Sequence, residues 1–272
     1  MDLEKVLRAK LPPPAYAGAR MAYRWRRSAV RARRQHRLDL AASRAVAEAA
    51  VWRVQRGPFK GLRYVEAYGD LGAKILGSYE QELHPTIEQL IAVGYDNIVN
   101  VGAAEGYYAV GLAWRVPAAN VIAYEISEKG RVLCAELALL NGVTVEVRGE
   151  FTLAELKLIP AGRTLVIMDI EGGELALLDP DLEPRLLDAD HLVELHDFID
   201  PTIKPTLLRR FGATHDCRIQ RTADRCANDY AELTVSTRRV LNEHRPGPME
   251  WAMMSRHSYD RSGRNQRGPA GT

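Results

Sequence analysis

Two glycines and a carboxylate raise the first chemical question. Gly102 and Gly106 bracket the turn Gly-Ala-Ala-Glu-Gly, directly after the apolar run NIVNV, and Glu125 follows in VIAYEIS. Glycine lets the backbone pass close under a ligand. A carboxylate at the end of the next strand accepts both hydroxyls of a ribose. Together they predict an adenosine-type ligand, against the plainer reading that the glycines only shape a turn. The match to the dinucleotide fingerprint is poor, because Ala103 or Ala104 stands at its second glycine. Glu105 inside the turn would also repel phosphate oxygens, so a ligand without phosphate is favoured.

Four further groups converge on the same chemistry. Asp169 and Glu171 follow the apolar run LVIM in DIEGGE. Two carboxylates at that spacing serve as a base, as substrate contacts, or as ligands for a hard cation such as magnesium. Glu171 and Glu174 also suit a helix N-terminus, where the dipole favours an acid. His196 and Asp197 close the run LVEL. Histidine is the usual proton acceptor near neutral pH, and a neighbouring acid orients it or raises its pKa. His215 is a weaker candidate near the same edge, and His191 begins its strand at the opposite one. His191 and His196 match no standard zinc spacing, and Cys134, Cys217 and Cys226 are too dispersed for a structural zinc.

Positioning these groups requires alternating strands and helices. Strands are expected at Asn97–Val101, Val121–Glu125, Val143–Arg148, Leu165–Ile170 and Leu192–His196. Helices are expected at Pro85–Val93, Tyr107–Arg115, Glu128–Leu140, Leu153–Leu158 and Glu174–Leu187. Continuous apolar strands suit a parallel sheet covered on both faces. The repeating order predicts an open, doubly wound α/β sheet with right-handed crossovers. Its ligand site lies at the carboxyl ends of the strands. Beyond Lys204 the pattern predicts a helix near Thr206–Phe211 and strands near His215–Arg221 and Trp251–Ser255. Upstream, GLRYVEAYG reads as a short strand or hairpin, and Leu40–Val54 as an Ala-rich helix.

VNVGAAEGYYAVGLA, YEIS, MDIEGGELALL and VELHDF, with GSYEQEL upstream, resemble the class I S-adenosylmethionine-dependent methyltransferases, and more narrowly the FkbM-type family. The resemblance spans residues 77–211. It implies a Rossmann-like fold and cofactor contacts at Tyr79, Glu80, Asn100, Gly102, Ala103, Glu105, Gly106, Tyr107, Glu125, Ile126 and Asp169. It implies His196 and Asp169 at the reacting end. Asn100 departs from the pattern, since many class I members carry an acid there; its amide oxygen still accepts from an ammonium. Methyl transfer from a sulfonium is an in-line displacement, and a hydroxyl acceptor needs its proton removed or its oxygen polarised. Asp-Ile-Glu-Gly replaces the Asn/Asp-Pro-Pro-Tyr turn expected of base-amine enzymes, and no cysteine follows a proline as a cytosine-carbon enzyme would require. O-methylation of a small molecule or sugar hydroxyl is the expected reaction, with a magnesium-type cation possible but not required.

Composition sets outer bounds. The 272 residues are 46% hydrophobic, enough for a sizeable core. No apolar run reaches transmembrane length and no signal peptide opens the chain, so a cytoplasmic protein is expected. The net charge of +2 hides an asymmetry: eight arginines and no acid lie between Arg20 and Arg37, which leaves −6 for the remainder. Residues 1–57 read as a basic helical extension, 58–255 as the enzymatic domain and 256–272 as a disordered tail. The Met21/Trp25 stripe among the arginines suits packing on the body or in a homodimer. Nucleic acid and an anionic membrane are the other candidate partners. A nucleic-acid-binding or RNA-modifying protein and an NAD(P)-dependent oxidoreductase are the rival functions.

Overall fold

The computed structural model describes residues 37–66, 69–230, 238–241, 243, 245, 247 and 249–257. The Arg20–Arg37 arm, except Arg37, and nearly all of the tail from Arg256 lie outside them. A helix through residues 37–49 (α1) is followed by α2 at Leu71–Leu76 and α3 at His84–Val93. Strand β1 (Asn97–Val101) leads to α4 (Tyr107–Arg115), and β2 (Asn120–Tyr124) to α5 (Glu128–Asn141). Then come β3 (Glu146–Arg148), β4 (Thr164–Met168), the single turn α6 (Glu174–Leu177) and β5 (Ala189–Leu195). The last elements are α7 (Ile203–Phe211), β6 (His215–Arg221) and β7 (Glu250–Arg256).

Seven strands form one open sheet in the order β3-β2-β1-β4-β5-β7-β6. The first five are parallel; β7 is antiparallel to both β5 and β6. The expected doubly wound α/β sheet is therefore present. Its strand order reverses between β1 and β4, and a switch of this kind opens a crevice at the strands' carboxyl ends.

Strand alternation assigns the two covered faces. Ile98, Ala123, Ile167 and Leu192 point to one side, packing with Val46 and Ala47 of α1, Leu90 of α3, Val110 of α4 and Leu137 of α5. Val99, Ile122, Val166 and Val193 point to the other, packing with Ile203, Leu207 and Phe211 of α7. All five residues of β1 and of β4 are buried, as a central parallel strand requires.

Three local expectations are corrected. The helix expected at Glu174–Leu187 stops at Leu177, and a short 3-10 turn resumes at Pro184–Asp188. Pro180 and Pro184 remove backbone donors and clash with the preceding turn. Leu153–Leu158 is a 3-10 helix rather than an α-helix. GLRYVEAYG forms no strand among its described residues, only an isolated bridge from Arg63 to Arg53.

Candidate functional site

The glycine loop turns through left-handed backbone at the carboxyl end of β1, a conformation that Gly102 and Gly106 adopt without steric cost. Gly102, Ala104 and Gly106 have φ of 77°, 47° and 93°. At Gly102 the requirement is also steric: a Cβ there would stand 1.7 Å from the Asp169 carbonyl oxygen. No side chain fits between the first loop residue and the end of β4.

Glu125 is fixed by that loop. The amide of Ala104 donates to its Oε2 at 2.8 Å, and the amide of Ser127 donates to its Oε1 at 2.7 Å. Ser127 caps α5. Gly130 in the first turn of α5 leaves room for the carboxylate, since a Cβ would lie 2.7 Å from the Glu125 Cγ. Two amide donors set the rotamer and leave other lone pairs for a ligand. A cavity of about 360 Å³ opens in front of it. Gly102, Glu125, Ile126, Phe151, Asp169 and Ile170 are among the residues of its wall. That volume is within the range of small-molecule sites.

The second cluster surrounds His196 at the end of β5. The imidazole is 1% exposed. Glu174, 0% exposed, meets Nδ1 with Oε1 at 2.6 Å. Around Nε2 stand Glu194 Oε2 at 3.5 Å, Asp169 Oδ1 at 3.6 Å and Glu171 Oε2 at 3.6 Å. Burial favours the neutral ring, but the hydrogen bond and charge of Glu174, with Asp169 and Glu171 behind it, outweigh burial and raise the His196 pKa. Burial, reinforced by Asp169 and Glu80, pushes the Glu194 carboxyl up to about 10.

A buried ionic network adjoins this cluster. Arg245 donates to Glu194 at 2.8 Å, to Glu80 at 3.1 Å and to Glu243 at 2.6 Å. Tyr108 donates to the second oxygen of Glu80. Burial pushes Glu80 up to about 8, although Arg245 and Tyr108 pull the other way. A second guanidinium, Arg225, also pairs with Glu243 at 2.6 Å.

The expected site residues therefore divide into groups. Gly102, Glu125, Ile126 and Asp169 line the cavity, and His196 stands against Asp169. Tyr79 and Glu80 lie beneath, within the electrostatic reach of Asp169. Asn100 is buried in β1 and its Oδ1 has no hydrogen-bond partner. Ala103, Gly106 and Tyr107 build the loop and the start of α4; Tyr107 packs edge-on against Tyr79 at 5.0 Å.

Glu105 is corrected. It does not face the cavity but is fully buried against Lys74 Nζ at 2.5 Å and the Tyr64 hydroxyl at 2.6 Å. Burial alone would raise its pKa; the charge and hydrogen bond of Lys74 overcome that and lower it. The acid expected to orient His196 is also different: Asp197 accepts from the Lys204 amide at 3.0 Å, and Glu174 does the orienting. His215 opens β6, which runs in the same direction as β5 because both are antiparallel to β7, and so it lies at the opposite edge, where its Nε2 meets the Ala189 carbonyl at 2.9 Å beside His191. His191 is at that edge, as expected, hydrogen-bonded to the Leu186 carbonyl.

Glu194 was not anticipated. The period of two along β5 places it on the face of Leu192 and His196, a signal present in the sequence. Arg245, Phe151 and Ile170 carry no such signal.

No family model and no curated protein sequence matches the chain. Among solved structures it is similar to cofactor-bound Rv0187 from MTB, at 15% identity over 80% of this chain and 90% of that chain, with a TM-score of 0.45. It is similar to the O-methyltransferase TomG from Streptomyces achromogenes in complex with SAM, at 16% identity over 63% and 80% of the two chains, with a TM-score of 0.41. A ribosomal protein L11 methylase from Lactobacillus delbrueckii subsp. bulgaricus is similar at 17% identity over 65% and 78%, with a TM-score of 0.40. These scores lie below 0.5, and nothing about the chemistry follows from them.

Proposed function

We propose that the chain binds S-adenosylmethionine and transfers its methyl group to an acceptor, a hydroxyl oxygen of a small molecule or sugar being the favoured class. The carrying observation is Glu125, held by two backbone amides in the wall of a cavity that Gly102 also lines. A carboxylate so placed recognises a ribose. Glu150, Asp169 and Glu171 make the rest of the polar wall acidic, which suits a cationic ligand and opposes a pyrophosphate.

The residues fit the cofactor. Ile126, Phe151 and Ile170 offer apolar surface for an adenine, and Glu125 accepts from ribose hydroxyls. The orphaned Oδ1 of buried Asn100 is suited to accept from an ammonium, and so is Glu80 when ionised. S-adenosylmethionine, when bound, supplies an electrophilic methyl group on a sulfonium. The chain's own work is to hold the acceptor oxygen in line and to remove or stabilise its proton charge. That task falls to the Asp169–His196 corner. Exposed Phe198 and Ile199, just beyond it, offer an acceptor an apolar rim.

Calorimetry with S-adenosylmethionine, S-adenosylhomocysteine and NAD(P) tests the assignment. The expected result is binding of both S-adenosyl compounds and of neither nicotinamide. Folded protein that binds no S-adenosyl compound would refute it.

A further inference from the structure

The three carboxylates around His196 Nε2 stand at nearly equal distances, 3.5, 3.6 and 3.6 Å. A proton on Nε2 would draw one of them into a charge-assisted hydrogen bond of about 2.7–2.9 Å. None has closed to that distance, and Nε2 faces all three at ion-pair range. The imidazole nitrogen thus points into a ring of carboxylate oxygens that a cation would hold together.

Glu174 supplies the second observation. It is buried, and its bond to Nδ1 fixes the ring so that the Nε2 lone pair faces the carboxylates. An acid behind the far nitrogen is the usual support of a metal-binding histidine, where it sets tautomer and orientation. We infer that Asp169, Glu171 and His196 bind a divalent cation of the manganese class, with Glu174 as the positioning residue. Their ligand atoms all lie within 4.8 Å of one another. Neighbouring ligands of an octahedral ion with bonds of about 2.1–2.2 Å are about 3 Å apart. Glu171, whose side chain is 78% exposed, is free to close that gap. One imidazole with two carboxylates suits manganese or a similar borderline ion better than calcium.

The ion's role in catalysis rests on the methyl-transfer reading; its binding does not. In that role a bound cation would polarise an acceptor hydroxyl and lower its pKa, the proton leaving to solvent at the open cavity. His196 Nε2 is then a ligand and not a proton acceptor.

The test uses the full chain, treated with EDTA, dialysed, and titrated with Mn²⁺ followed by electron paramagnetic resonance, with no S-adenosyl compound present. One Mn²⁺ per chain is expected. Glu171→Gln should weaken it at least ~10-fold, and Glu174→Gln by about 10–100-fold. Glu171 is exposed, so its variant keeps the test valid if Asp169→Asn or His196→Ala fails to fold. Absence of stoichiometric Mn²⁺ binding overturns the site, and so does a Glu171→Gln chain that binds as the wild type does. S-adenosylhomocysteine calorimetry on the same samples separates the two readings. Mn²⁺ binding without S-adenosylhomocysteine binding leaves the cation site standing and refutes methyl transfer. The reverse result removes the cation and leaves methyl transfer intact.

Discussion

At the scale of single residues, two acids at the ends of successive strands have opposite surroundings. Glu125 faces the cavity and Glu105 faces the core. Glu125→Ala should weaken S-adenosylhomocysteine binding by about 1.5–3 kcal/mol, the loss typical of a hydrogen bond to a charged group, and should also lower the melting temperature, because the Ala104 and Ser127 amides lose their acceptor. Calorimetry and a thermal scan together check this. Lys74→Ala should instead cost about 3–5 kcal/mol of stability, because it strands the Glu105 carboxylate; urea unfolding measures it. Glu105 also predicts an acid limit. Its folded pKa is depressed, so its contribution is fully present above the unfolded value of about 4.3 and is lost as pH falls through the folded pKa. A stability-against-pH curve in which Glu105→Gln shows less acid loss than the wild type bears this out. The place of Glu125 at the cavity was legible because it follows from strand position alone. Glu105 was misread because nothing in the turn announces Lys74 and Tyr64, which arrive from elements far upstream in the chain.

At the scale of elements, the site depends on the close approach of the β1 loop to the end of β4. Gly102→Ala forces a methyl group onto the Asp169 carbonyl oxygen and removes the easy access to positive φ. At least about 2 kcal/mol of stability should be lost, with the Glu125 amide contacts disturbed at the same time. Denaturant unfolding and cofactor titration of the variant measure the two effects. The central strands were readable from unbroken apolar runs, and α4 and α5 from capping residues and glycine punctuation. The α6 region was not, because a helical apolar period carries through Asp179-Pro180 although the backbone does not. His196 was readable at its strand end, but its partner Glu174 sits across a turn whose geometry no local pattern fixes.

At the scale of the whole molecule, one network joins distant parts of the chain. Arg245 ties Glu80, upstream of the sheet, to Glu194 in β5 and to Glu243 just before β7. Arg245→Met should therefore destabilise the protein more than an exposed ion pair would, by about 3 kcal/mol or more, as thermal or urea unfolding would show. Its effect should reach the cavity, read as weaker S-adenosylhomocysteine binding. The strand order has a consequence for synthesis. β5 is complete at Leu195, yet its other neighbour, β7, begins only at Glu250. As the chain emerges from the ribosome, one edge of an apolar strand stays unpaired until nearly the last described residues appear. Such an edge is a template for pairing with other chains. A nascent chain stalled before Glu250 should therefore be a substrate for chaperones and prone to aggregate, and the late antiparallel strand acts as the clasp that ends this exposure.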